Sequence, residues 1–371
     1  MPGGNTRSVL HVAPFPLTIV RAEGARIWDA DGHEYLDFLG EFTAGLYGHS
    51  NPVILEAIRG ALADGIVLGA PNRYELALAE AVCARFPSIE LVRFCNSGTE
   101  ANVMAISLAR AVTGRSKVVV FDGGYHGGVL SFQHGASPLN YPGEFVIAEY
   151  NDLSAAELVD DDTAAVLVEA LQGSGGVIPG DRAFLQALRD ATRAHDALLI
   201  FDEVMTSRLA WGGLQDVLGI TPDLTTLGKY IGGGLASGAF GGRRDLMERF
   251  DPSRPDAFQH AGTFNNAVLT MAAGAAGLTK VLTRPEIARL NGLGDVLRER
   301  LNEIGRGFHA TGYGSMVGLH FDDDERPALL HLHMLERGYS YARRGFVALS
   351  LPLDERDVDG FAAAVESFFA A

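Results

Sequence analysis

LVRFCNSGTEANVMAISLARAVTGRSKVVVF, residues 91–121, carries a strand–helix–strand pattern. It opens on a short apolar run, LVRFC (91–95), with the length and character of a buried strand. After a polar turn, Ala101, Met104, Ala105, Leu108 and Val112 recur at helical spacing, and Gly114 stops the pattern. KVVVF (117–121) then supplies a second buried strand. The same alternation continues downstream in FVIAEY (145–150), AAVLVEA (164–170), ALLIFDEV (197–204), LTTLGK (224–229) and ASGAFGG (236–242). A helical pattern at 181–195 lies between two of these strand candidates. Continuous apolar strands alternating with helices predict an α/β fold, its central sheet mainly parallel and covered by helices on both faces. Ligands of such sheets bind beyond the carboxyl ends of the strands, so the polar residues at those ends are the ones to weigh.

On either side the pattern changes. Residues 14–40 contain IVRAEGARIWDADGHEYLDF, where the DADG turn between apolar runs predicts a hairpin. Residues 283–371 mix helical patterns with strand candidates such as SMVGLHF and GFVALSL. The expected division is a large domain over 45–280 and a smaller α+β domain built from 1–44 and 281–371. No repeat and no Pro/Ser-rich linker separates them, so the two are expected to be intimately joined. The 371 residues are 47% hydrophobic and 20% charged, which excludes a disordered or fibrous chain. The formal charge of −16 argues against nucleic acid or an anionic membrane as a partner. With two cysteines, Cys83 and Cys95, no secretory signal pattern and no long apolar run, a cytoplasmic location is expected. Glycine is abundant, at 45 residues, and many of these sit in short clusters of the kind that let backbone approach a ligand.

Three polar constellations fall at strand ends. NSGTEA (96–101) joins a strand to a helix start, whose unpaired amides suit a phosphate; alone it could equally be an ordinary N-cap. FDEV (201–204) puts Asp202 and Glu203 on opposite faces, so at least one acid meets the tip of the sheet, as metal ligand, base or partner of a cationic ring nitrogen. TLGKYIGGG (226–234) closes another strand on Lys229. A lysine losing hydration there has a lowered pKa and becomes a nucleophilic amine, although an isolated Gly-Lys pair is usually a solvated surface feature. Taken together, an anion site, a carboxylate and a lysine able to condense with an aldehyde meet the needs of pyridoxal phosphate, and no metal is called for. GGYHGG (123–128) adds an aromatic and GTFNN (262–266) a hydroxyl after a glycine.

In that order and at those separations, NSGTEANVMA, FDGGYHGG, LIFDEVMTSR, TTLGKYIGGG and GTFNNAVLTMAAG resemble the class III, fold-type-I pyridoxal-phosphate aminotransferases. Glutamate-1-semialdehyde aminomutases share the set. NTRSVLHVAPFPL near the start and RRGFVALSLPL near the end more closely resemble the aromatic β-amino acid (β-phenylalanine) aminotransferases. Relatives carry a further segment before the match to MPGGNTR, so a short N-terminal helix covering the dimer is expected to be absent; the segment around 321–340 looks shortened.

The resemblance implies catalytic roles for Lys229, as the lysine that carries the cofactor, for Asp202, facing the pyridine nitrogen, and for Tyr125, stacked on the ring. Ser97, Gly98 and Thr99 match the phosphate loop, His126 lies beside Tyr125, and Val204 matches the residue on the ring's other face. Glu169 and Gln172 match positions at the ring's edge. Thr263 matches the residue that reaches the neighbouring subunit's phosphate, which implies a homodimer. Arg7 and Arg344 match the carboxylate-binding arginines for an amino donor and a 2-oxo acid acceptor, with Arg343 as the register alternative for the second. APFPL (13–17) and Tyr74 are candidate apolar walls. The activity implied is amino transfer from a β-amino acid to 2-oxoglutarate or a similar acceptor. The competing readings are an aminomutase, which needs no external acceptor, and a catalytically silent protein on the same fold.

Overall fold

A computed structural model describes residues 1–370 other than His134 and Arg306. Its centre is a seven-stranded sheet. In chain order its strands are β1 (Leu91–Cys95), β2 (Lys117–Phe121), β3 (Phe145–Ala148), β4 (Thr163–Val168), β5 (Leu198–Asp202), β6 (Leu224–Gly228) and β7 (Gly238–Gly242). They lie side by side in the order β1-β7-β6-β5-β4-β2-β3. The pairings within β3-β2-β4-β5-β6 are parallel, while β7 is antiparallel to both of its neighbours. β7 therefore runs against the rest of a mainly parallel sheet. Several strands stop earlier than the apolar runs do: β5 ends at Asp202 and β3 at Ala148, because the polar residues beyond them leave the ladder to build loops.

The unbroken apolar runs have a simple cause. Val118, Val120, Ala165, Leu167, Leu198 and Ile200 pack into one core, on the face covered by α1 (Gly98–Thr113). Their neighbours Val119, Phe121, Val166, Val168, Leu199 and Phe201 pack into another, with Phe184, Leu185 and Leu188 of α2 (Arg182–Ala194). Alternate side chains of one strand thus enter opposite layers, and both layers are dry. α1 begins on Ser97, whose hydroxyl accepts the Glu100 amide, and ends on Gly114 in the left-handed conformation.

The flanks come together around this centre. Ile19–Glu23, Arg26–Asp29 and Glu34–Asp37 form an antiparallel meander that the late strand Tyr339–Ser340 extends in parallel. The expected DADG hairpin joins its second and third strands. Phe308–Tyr313, Met316–Phe321 and Phe346–Ala348 make a second small sheet. One further core unites the parts, taking in Phe38, Leu78, Leu227, Tyr230, Leu297 and Phe361. Among the described residues no helix is long and apolar enough to cross a membrane.

Candidate active site

The carboxyl ends of β1, β2, β4, β5 and β6 open on one cleft of about 620 Å³, and Gly98, Thr99, Tyr125, Glu169, Asp202 and Lys229 all line it. The parallel arrangement delivers these residues to one edge although they are far apart in sequence. Thr6, Arg7, Phe42, Val204 and Arg344 complete its wall.

Asp202 is the most constrained of these groups, 4% exposed. Its Oδ2 accepts from Asn102 Nδ2 at 2.8 Å and from His126 Nδ1 at 2.8 Å, and its Oδ1 from the Val204 amide at 3.0 Å. Asn102 is itself held, because its Oδ1 accepts the Thr226 hydroxyl at 2.7 Å. Burial alone would lower the pKa of His126, yet the hydrogen bond and charge of Asp202, with Glu169, hold it above its ordinary value. Burial pushes the Glu169 carboxyl up to about 7, with the His126 charge opposing and that of Asp202 adding to it. Glu169 accepts the amides of Gly173 (3.0 Å) and Tyr125 (3.1 Å), so it also fixes the loop that carries Tyr125.

Lys229 follows β6 with a left-handed backbone, φ 54°, which for a non-glycine residue marks a local constraint. Burial lowers its ammonium pKa to about 8. The Glu41 charge opposes that shift, Arg7 adds to it, Asp202 opposes it and Arg344 adds to it. The amine is thus largely protonated at neutral pH and poised to release its proton just above it.

The phosphate loop is built by close approach. A Cβ at Gly98 would stand 2.9 Å from Val204 Cγ2, and one at Gly127 (φ 125°) would stand 2.1 Å from Thr99 Oγ1. Ser97 caps the third amide of α1 and does not itself line the cleft. The first amides, of Gly98 and Thr99, have no intrahelical acceptor, and both residues face the cleft. An anion site, an oriented buried carboxylate and a lysine of lowered pKa therefore share one cavity. The donor set fits pyridoxal phosphate.

Arg7 and Arg344 both approach one ring: their guanidinium carbons lie 5.7 and 5.4 Å from the Phe42 centroid. Arg344 Nη1 donates to Ser174 Oγ at 2.9 Å, whereas Arg7 is ion-paired with Glu41. Glu41, Phe42 and Thr43, with φ of 46°, 52° and 80°, follow Gly40 at 53°, making four successive left-handed residues. Sparse conformations of this kind cost on the order of 1–3 kcal/mol each for non-glycine residues. The turn is fixed by Asp37 Oδ1, which accepts the amides of Leu39 (2.8 Å) and Gly40 (3.1 Å), and by the Ala348 amide donating to Phe38 O (2.8 Å).

Not all of the expected residues line this cleft. Gln172 stands one layer behind it, donating to Asp122 O at 2.6 Å and packing on Gly123. Tyr74 packs on the small core of Ala61, Val268 and Ala272 and donates to Asp64 at 2.6 Å. Phe15 and Leu17 line an adjoining cavity of about 760 Å³, which meets the cleft at Ser8, Val9, Phe42 and Arg344. Arg344, and not Arg343, lines the cleft. Thr263 lies outside it on an exposed segment with Phe264, which is 62% exposed. Glu203 is fully buried, accepting from Thr206, Leu214 and Gln215, so Asp202 alone of the pair meets the cleft. Sequence reasoning missed Asn102, whose signal was a polar residue among the buried positions of α1. It also missed Glu41 and Phe42, which a non-glycine left-handed turn leaves without any signal.

This site on this fold is that of a pyridoxal-phosphate-dependent transaminase. The family Aminotransferase class-III matches residues 9–345, and the chain belongs to it. A beta-phenylalanine transaminase of Variovorax paradoxus is 52% identical over 99% of this chain and 89% of its own length. A crystal structure of a beta-phenylalanine aminotransferase from the same organism superposes with a TM-score of 0.97 at 51% identity, over 100% of this chain and 91% of the other. A transaminase solved with pyridoxal phosphate bound gives 0.93 at 32% identity, over 100% and 94% of the two chains. A glutamate-1-semialdehyde aminomutase from Pseudomonas aeruginosa PAO1 gives 0.89 at 28%, over 99% and 91%.

Proposed function

We propose that this transaminase moves the amino group of an aromatic β-amino acid, of the β-phenylalanine type, to a 2-oxo acid such as 2-oxoglutarate, in two half-reactions run in one pocket. The observation that carries the reading is the pair of guanidiniums beside Phe42, in the cleft that holds Lys229. A β-amino acid holds its carboxylate one carbon further from the amine than an α-amino acid does, so a single fixed arginine serves donor and acceptor poorly. Two arginines remove that conflict, Arg7 gripping the donor and Arg344 the α-carboxylate of the acceptor. The Variovorax relative supports the donor class.

Pyridoxal phosphate, when bound, supplies the carbonyl that condenses with amines and the ring that withdraws electrons from the substrate carbon. Lys229 holds the cofactor and, once freed, carries a proton on Nζ to and from that carbon; its lowered pKa suits base work near neutral pH. Asp202, fixed by Asn102 and His126, presents a carboxylate that keeps the ring nitrogen protonated. The amides of Gly98 and Thr99 receive the phosphate, and Tyr125 and Val204 take the two faces of the ring.

The working unit in this reading is a cytoplasmic homodimer, with Thr263 serving the partner's site. Its support is the exposure of Phe264, Ile66 and Val67 on two segments tied by Asn72 donating to Asn266 O at 3.2 Å and Asn266 donating to Ala70 O at 3.3 Å. A donor screen with 2-oxoglutarate, with pyruvate and with no acceptor tests the proposal. β-Phenylalanine is expected to lead in the presence of an acceptor; preference for α-amino acids, or turnover of an aminoaldehyde without acceptor, would overturn it.

A further inference from the structure

The geometry points to Glu41 as a built-in competitor for the donor's carboxylate at Arg7, and so as the residue that sets which donors the enzyme admits. This inference rests on the reading of Arg7 as the donor's carboxylate grip. The two arginines beside Phe42 are not equivalent. Arg344 has a hydroxyl as its side-chain partner, Ser174 Oγ at 2.9 Å, and among the described residues no carboxylate pairs with it. Arg7 is already ion-paired with Glu41. Arg7 lines the cleft and Glu41 the adjoining apolar cavity, so their ion pair spans the boundary between the two spaces.

Both side chains are about half exposed, but the backbone beneath Glu41 is fixed. Glu41 sits in the run of four left-handed residues, braced on its N-terminal side by Asp37 and by the strand containing Ala348, and closed by the Ala44 and Gly45 amides donating to Glu41 O and Gly40 O. Non-glycine residues persist there only where the surroundings over-determine them, and such places concentrate at functional sites. The fixed backbone carries Glu41, and the ion pair places its carboxylate on Arg7, where an incoming carboxylate would have to go. A donor that carries a carboxylate replaces Glu41 with a group of the same charge, and the displaced Glu41 goes to solvent. An amine without a carboxylate has nothing to offer Arg7, so the ion pair stays closed against it. Glu41 is therefore a positioning and specificity residue that acts through Arg7.

The test uses the cofactor-loaded enzyme and 3-phenylpropanoate, which has the ring and carboxylate of the donor but no amine. 3-Phenylpropan-1-ol serves as the uncharged control, and binding is measured by calorimetry. Glu41→Gln should bind 3-phenylpropanoate about 10-fold more tightly and leave the alcohol unchanged, the size of one charge-assisted contact released from competition. Glu41→Asp, with a shorter reach, should fall between the two, and a melting curve establishes that each variant is folded. In an Arg7→Ala background the gain should vanish. Unchanged or weaker probe binding by Glu41→Gln, while Arg7→Ala still weakens it, overturns the inference and leaves the role of Arg7 standing. Equal tightening of acid and alcohol also overturns it, since that result is a reshaped pocket and not a released charge. If Arg7→Ala binds the probe as well as the parent does, the reading of Arg7 itself fails, and the inference goes with it.

Discussion

Asp202→Asn changes almost nothing in shape and a great deal in hydrogen bonding. Three N–H donors converge on the carboxylate: Asn102 Nδ2 and His126 Nδ1 at 2.8 Å on one oxygen, and the Val204 amide at 3.0 Å on the other. An amide offers one oxygen, so its NH₂ must face a donor. Asn102 cannot turn to accept from it without releasing the Thr226 hydroxyl, held at 2.7 Å. The least costly arrangement keeps the carbonyl toward Asn102 and His126 and sets the NH₂ against the Val204 amide. That leaves one buried donor unmade and turns two charge-assisted bonds into neutral ones, together about 2–4 kcal/mol. The cofactor-free variant should therefore melt several degrees below the parent. The donor half-reaction, followed by stopped-flow absorbance, should slow by about 10²- to 10³-fold, the scale for one preorganised electrostatic partner in a water-poor site. A variant that melted with the parent and ran the half-reaction at the parental rate would exclude Asp202 as the ring nitrogen's partner. Glu203 could not then be substituted for Asp202 in the argument, because it is fully buried and saturated by its own loop.

In the cofactor-free enzyme, reductive alkylation of Lys229 by a small aldehyde should rise through a midpoint near pH 8, followed by peptide mass spectrometry; a midpoint near 10.5 would contradict the burial that lowers it. Arg7→Ala should slow the donor half-reaction roughly ten- to a hundred-fold and spare the acceptor half, and Arg344→Ala the reverse, in single-turnover measurements of each half. Glu169 binds its proton more tightly folded than unfolded, so the stability it contributes is complete below about pH 4.5 and is lost as pH rises through about 7. Glu169→Gln should flatten that slope in urea titrations.

Much of the centre was legible because its physics is local. A run such as KVVVF needs two dry faces, and Val118 and Val119 do enter different cores. Lys229, Asp202 and the Gly98–Thr99 amides were foreseeable because each closes a strand or opens a helix, where a parallel sheet gathers its ligands. Asn102 was half legible, as a polar side chain on the covered face of α1. Tyr74 and Gln172 were misplaced because the side of a helix or loop that meets the cleft depends on packing between distant segments, which spacing along the chain does not encode. Glu41 and Phe42 were invisible for a different reason: their left-handed turn is imposed by Asp37 and by a strand three hundred residues downstream, with no glycine at either position to announce it.

That last brace has a consequence for how the molecule is made. The residues of this chain that line the cofactor's side of the cleft lie between 97 and 229, and the strands that carry them pair with one another, β1 joining through β7 by residue 242, so this half of the site is made about a hundred residues before Arg344. The substrate-gripping half is assembled from distant segments: Arg7 and Glu41 precede the sheet, Arg344 follows it, and the turn beneath Glu41 gains its Ala348 contact later still. The early segment must wait, unbraced, through most of synthesis for the partner that sets its shape. A nascent chain can thus carry its own cofactor-lining residues well before it can tell one amine from another, and selectivity waits for the segment around Arg344 and Ala348.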